Sequence, residues 1–183
     1  NRWQDMLLMA VATIGVTIPS FVIASVLIYV FAFKLNVLPT FGLDSWKSYI
    51  LPVVAMGGYS VSYLARLMRS SLLEVMGQDY IRTARAKGLT EFAVVTKHAL
   101  RNAMIPVITV LGPTVAGLLT GSFVIEKIFA IPGIGYYFVN SVTQRDYTTI
   151  MGVTVFFAAF LMAMVLLVDV FYCLIDPRIQ FDA

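Results

Sequence analysis

The sequence predicts an all-α membrane protein with four transmembrane helices and one large cytoplasmic loop built of two short helices. Composition is the first observation: 60% of the 183 residues are hydrophobic and 13% are charged, where a soluble domain carries about 25% charge. The second is that the apolar residues fall in blocks of 28, 18, 24 and 22 residues without a charge, close to or beyond the ~20 residues that cross a ~30 Å hydrocarbon core. The third is where the cations lie. Seven of the 13 Lys and Arg residues stand between Arg66 and Arg101, against Lys34 and Lys47 in the preceding connection and Lys127 and Arg145 in the following one. By the positive-inside rule the long loop is cytoplasmic, and so are both ends of the chain.

Mean hydropathy is +0.87 and net charge +3, with the charge gathered in one loop. It therefore reports orientation, and no nucleic-acid partner is expected. One cysteine, Cys173, and one histidine, His98, exclude a disulfide framework and argue against a His/Cys metal site. The chain opens on Asn1 and shows no cleavable signal peptide, so it is expected to be part of a longer protein.

The first span is expected at about 6–33, long enough to tilt or kink, with Pro19 the kink site. Pro19 reads as simple helix bending or as a gating hinge. The connection that follows carries Pro39, Gly42 and the interfacial residues Trp46 and Tyr49. The second span, about 49–68, holds Gly57-Gly58 at its centre, a pair that serves either close helix packing or a pore-lining backbone. The third, about 104–125, contains Pro106, Pro113, Gly112 and the pattern Gly117-Leu-Leu-Thr-Gly121, whose small residues suit helix packing or a subunit interface. Pro132-Gly133 marks a turn in the next external segment, and Ile134, Tyr136, Tyr137, Phe138 and Val139 predict a short helix at the outer interface or slightly re-entrant. The fourth span, about 148–172, brings Asp169 near the cytoplasmic interface. An acidic group there either pairs with a nearby cation or couples protons.

The internal loop, about 71–103, divides at Gly88. Its first helix is expected over Ser71 to Lys87 with Met76, Tyr80 and Ala84 as one apolar stripe, interrupted at most by Gly77. Gly88 suits the left-handed residue that ends a helix, and Lys87 suits a helix C-terminus. Thr90 is the N-cap of the second helix and Glu91 lies in its first turn. Phe92, Val95 and Ala99 then form one apolar face, with Lys97, His98 and Arg101 off it. That face belongs either on the bilayer surface or in a groove of a partner. His98 reads as a solvated or capping histidine.

These residues carry a resemblance. Asp79-Tyr80, Ala84-Arg-Ala86-Lys-Gly88 and His98-Ala-Leu-Arg-Asn102-Ala-Met-Ile-Pro106 resemble the EAA loop of permease subunits of binding-protein-dependent ABC importers. Arg82-Thr83-Ala84 stands where the general pattern has Glu-Ala-Ala, and Pro106 comes later than the family's proline. The spelling is similar to the dipeptide, oligopeptide and nickel branch. So are Ile18-Pro-Ser-Phe21, Leu38-Pro-Thr-Phe-Gly42, Glu126-Lys-Ile-Phe129, Pro132-Gly-Ile-Gly135, Arg145-Asp-Tyr147 and Asp176-Pro-Arg178.

The resemblance implies a type I importer permease, residues 1–183 being one transmembrane domain that lacks the N-terminal spans of a whole subunit. It implies that Ala84, Ala86, Gly88, Thr90, Glu91, Phe92, Val95, His98 and Arg101 couple the spans to a cytosolic ATPase, with Thr90 to Leu100 as the coupling helix. The implied partners are a second permease subunit, two cytosolic ATP-binding subunits, an extracytoplasmic solute-binding protein, the lipid bilayer and a peptide substrate, in a bacterial or archaeal cytoplasmic membrane. Nickel or another small solute is the alternative cargo, and a proton-coupled carrier using Asp169 the alternative class. No G-x-x-x-x-G-K-[ST], G-x-S-x-G or H-E-x-x-H occurs in the sequence. The expectation is a non-enzymatic subunit with no catalytic residue and no bound metal or cofactor, ATP and magnesium being held by the ATPase partners.

Overall fold

The structure, a computed structural model, describes residues 3–119 and 121–175, excluding the side chains of 169 and 171–175. The described residues form helices and connections and no strand. Helices α1 (Trp3–Thr17) and α2 (Ser20–Leu27, continuing as a π-turn through Ile28–Lys34) come first. A 3₁₀ turn (Trp46–Tyr49) leads into α3 (Ile50–Met76), followed by α4 (Asp79–Ala86) and α5 (Glu91–Ala93) with its π-helical continuation Val94–Ala99. Then come α6 (Leu100–Leu119), α7 (Phe123–Ile128), α8 (Ile134–Gln144) and α9 (Tyr147–Ile175). Three helical runs are long and apolar enough to cross a membrane, and a fourth exists if α1 and α2 count as one span.

The boundaries depart from the sequence expectation in three places. The expected kink at Pro19 is a full break: the chain turns by 106° between α1 and α2. Pro19 is extended (ψ 141°) and sits before the first residue of α2, so its carbonyl accepts from the Val22 and Ile23 amides and opens a new helix. The second span does not end at 68 but continues through Arg66 and Arg69 to Met76, because Arg66 is exposed to solvent and Arg69 is paired with Asp5. The third runs on to Ile128 but is interrupted: α6 is described to Leu119, Gly121 takes a left-handed φ of +84°, and Ser122 caps α7 by accepting from the Ile125 amide at 3.4 Å.

The main apolar cluster joins α2, α3 and α7 through Ala24, Leu51, Ala55, Ile125 and Phe129. Small residues set the crossings, among them Gly112, which the sequence pattern suggests, and Gly15, which it does not. At Gly15 an added Cβ would lie 3.0 Å from the Ser62 Cβ and 3.3 Å from the Gly58 carbonyl, so α1 meets α3 nearly backbone to backbone. At Gly112 it would lie 2.9 Å from the Val168 Cβ, which fixes α6 on α9. An added Cβ at Gly57, Gly58 or Gly117 meets nothing within 4 Å, although the Gly58 carbonyl itself lies at the α1–α3 approach. Gly121 lies beyond the helix, so the Gly117–Gly121 spacing is not a packing stripe.

Two charged links tie distant segments. Arg69 donates to both carboxylate oxygens of Asp5 at 2.7 Å, joining the start of α1 to the far part of α3. Glu126, 6% exposed, accepts from the Tyr136 amide at 2.8 Å and so caps α8 from within α7. Asp146 caps α9, accepting from the Thr149 hydroxyl at 2.6 Å and its amide at 3.1 Å. The Thr149 hydroxyl bond, then the amide bond, hold the Asp146 carboxyl below its ordinary value. The contribution of this cap is complete above the ordinary carboxylate range and is lost as the pH falls through the depressed value. Protection of the amides in the first turn of α9, measured relative to their intrinsic exchange rates, should therefore fall on acidification, and Asp146→Asn should flatten that dependence.

Candidate functional site

The loop between α3 and α6 is a compact two-helix corner. Its first helix is not continuous with the stripe expected from Ser71 to Lys87, because the chain turns at Gly77-Gln78 before α4 begins. Ile81 and Ala84 of α4 face inward, and Val94 and Ala99 of the second piece meet them; Ile81, Val94 and Ala99 are fully buried. Leu72, Val75 and Met76, at the end of α3, close the cluster. Tyr80 points out, and its hydroxyl accepts from the Asn102 amide at 2.7 Å. That bond links α4 to the start of α6.

The expected face of Phe92, Val95 and Ala99 is corrected here. Residues 94–99 form a π-helix, whose hydrogen bonds join residues five apart. Val94 and Ala99 therefore stack on the inner side. Val95 is half-buried and Phe92 is turned out, 79% exposed. Ala84, read from the sequence as a coupling contact, instead supports the corner from inside.

The corner itself turns on Gly88, whose φ is +78°. The Leu89 amide donates to the Ala84 carbonyl at 3.4 Å and the Gly88 amide to the Arg85 carbonyl at 2.9 Å, the paired bonds of a Schellman helix end. Thr90 caps the next piece, its hydroxyl accepting from the Ala93 amide at 3.4 Å. Across the corner Arg85 donates to both oxygens of Glu91, at 2.7 and 3.3 Å, and the Glu91 carboxylate raises the Arg85 guanidinium above its already high value. Glu91 and Gly88 are among the coupling residues expected from the sequence, and Arg85 is not. The i,i+6 pairing lies outside helical spacing and becomes visible only once Gly88 folds the loop back.

The outer surface of the corner is then defined. Ala86, Gly88, Leu89, Thr90, Glu91, Phe92, Lys97 and Arg101 are exposed, and His98 is half-buried. Leu89, 42% exposed, joins Phe92 as the apolar part; it was not anticipated, being a single apolar residue beside a glycine. A bulky aromatic held outward on a braced corner is suited to seating in a protein groove. Asp169 lies in α9, but its side chain is outside the described residues, as are Asp176, Pro177 and Arg178. Among the described residues no group of three or more His, Cys, Asp or Glu is placed to hold a metal ion.

Residues 1–181 match the family model described as the binding-protein-dependent transport system inner membrane component. The chain belongs to this family. The dipeptide transport system permease protein DppB of Bacillus subtilis is 53% identical over 180 residues, 98% of this chain and 58% of that protein. The glutathione transport system permease protein GsiC of Escherichia coli is 46% identical over 181 residues, 99% of this chain and 59% of that protein. This transport-system component thus spans about three-fifths of the length of the curated relatives it matches.

Proposed function

We propose that residues 1–183 form one permease domain of an ATP-driven importer that moves di- or oligopeptides across the cytoplasmic membrane by alternating access. The corner from α4 to the π-helix is the piece that a cytosolic ATPase pushes. The observation that carries this reading is Phe92: it stands 79% exposed on a corner whose reverse side is packed and ionically braced. A rigid corner can transmit a displacement to α3 and α6, to which it is directly joined, without absorbing it in its own backbone.

Membership of a binding-protein-dependent transport family supports partners of three kinds: an external solute-binding protein, ATP-hydrolysing subunits and a second permease. The names of the relatives at 53% and 46% identity support a peptide cargo. In this arrangement the loop faces the cytosol with both ends of the chain, and the subunit itself hydrolyses no ATP.

Phe92→Asp should weaken co-purification with the ATPase by about thirtyfold, the effect of losing an interface anchor worth about 2 kcal/mol. Membrane insertion should be unchanged, since nothing in the cluster behind the corner depends on that ring. Undiminished co-purification of Phe92→Asp together with Leu89→Asp would overturn the docking assignment. Nickel uptake in place of peptide uptake by the assembled transporter would overturn the cargo while leaving the docking intact.

A further inference from the structure

Both helix breaks in the membrane-spanning part of the chain open onto the same cleft. The break between α1 and α2 contributes Thr17, Pro19 and Ser20. The break between α6 and α7 contributes Gly117 and Ser122, and Tyr59 of α3 closes the side. The open cleft has a volume of about 360 Å³, within the range that holds a small ligand. Four of the lining residues, Thr17, Ser20, Tyr59 and Ser122, carry hydroxyls, and none of the lining residues is charged.

The backbone supplies further polar groups. The Val16 and Thr17 carbonyls lie in the last turn of α1, and the Ser20 amide opens α2, positions that have no partner within their own helix. Pro19 has no amide hydrogen to offer the carbonyl one turn earlier. At membrane depth such groups are tolerated only where protein or a water-filled cavity satisfies them, and interrupted helices are where transporters hold their solutes. A cleft that presents both carbonyl acceptors and amide and hydroxyl donors, and no charge, matches the main chain of a short peptide, which carries the same donors and acceptors.

We propose that this cleft is a passage subsite that holds the peptide backbone of the solute through main-chain groups and hydroxyls, independent of the charge of its side chains. The proposal rests on the reading of the chain as a peptide permease.

The test uses the whole transporter, with its ATPases, second permease and binding protein, in proteoliposomes and in a Cys173→Ser background. Ser20→Cys should react with a water-soluble methanethiosulfonate, and an excess of mixed di- and tripeptides should slow that reaction. Gly152→Cys, on α9 in open space, serves as the comparison and should show no peptide protection. Gly117 has open space where a Cβ would stand, so Gly117→Leu should yield a transporter that assembles but loses peptide uptake. A Ser20→Cys that is unreactive, or that reacts equally with and without peptides, overturns the subsite; so does Gly117→Leu with undiminished uptake. If the parent transporter shows no ATP-driven uptake of any peptide, the permease reading falls instead, and the two failures are told apart.

Discussion

Replacing Gly88 with valine should abolish ATP-driven uptake while leaving the subunit in the membrane. The reason is conformational and not a lack of room. An added Cβ at Gly88 meets nothing within 4 Å, but φ there is +78°. An L-residue held in that region costs about 1–2 kcal/mol, and a β-branched one more. The corner would relax by abandoning the Schellman turn, which separates Arg85 from Glu91 and swings Phe92 away from its outward setting. Substitutions should therefore rank by their tolerance of the left-handed region: asparagine nearly normal, alanine intermediate, valine inactive. Uptake into vesicles and recovery of the ATPase with the tagged subunit measure both halves of this expectation. Normal values for Gly88→Val in both assays would remove the corner from the transport mechanism.

The second large effect is expected at the α7–α8 hairpin. Glu126 is wedged among Gly121, Gly133 and Gly135, and its carboxylate receives the Tyr136 amide. Glu126→Ala leaves that amide without its acceptor, at a cost of about 1–3 kcal/mol. Gly135→Ala places a methyl group 2.9 Å from the Phe123 Cα as well as 2.9 Å from the carboxylate, an overpacking of about 1–3 kcal/mol that the backbone of α7 must absorb. At Gly133 the three atoms nearest an added Cβ all belong to the Glu126 carboxyl group, Oε1 at 2.9 Å among them. The two glycines are therefore separable by a double-mutant cycle. Glu126→Ala should relieve Gly133→Ala, making the pair less than additive, and should relieve Gly135→Ala only slightly. Thermal unfolding in detergent reads the cycle, and strict additivity at Gly133 would show that the carboxylate does not occupy the glycine nest.

What the sequence made legible follows from the range of the forces involved. The spans and the single cation-rich loop could be read because charge is excluded from long stretches whatever the tertiary arrangement. Gly88 and Thr90 could be read because a helix end is local chemistry, settled within a few residues. The face of Phe92, Val95 and Ala99 was misassigned because a helical period was applied to a π-helical turn, whose stacking residues are five apart. Gly117 and Gly121 fit a packing pattern only while the helix was assumed to continue, and Gly121 takes a left-handed φ outside α6. Gly15, Asp5 with Arg69, and Glu126 were missed because each acts on a partner brought close by the fold. Asp5 and Arg69 are 64 residues apart and Glu126 reaches ten residues ahead, separations at which one sequence carries no pairing signal. Pro19 was identified as a special position, but whether a proline bends a helix or breaks it depends on what packs on either side.

The Arg85–Glu91 brace has a practical consequence. Both side chains are substantially solvent-accessible, so dissolved ions compete with the pair and its hold weakens as the Debye length shortens from about 10 Å at 0.1 M salt to about 3 Å at 1 M. The stiffness of the corner then becomes a property of the buffer as well as of the chain. Transport assays run at different ionic strengths would compare corners of different rigidity, and a salt titration of ATP consumed per solute moved would report it. An Arg85→Gln variant, lacking the brace, should show a flatter response.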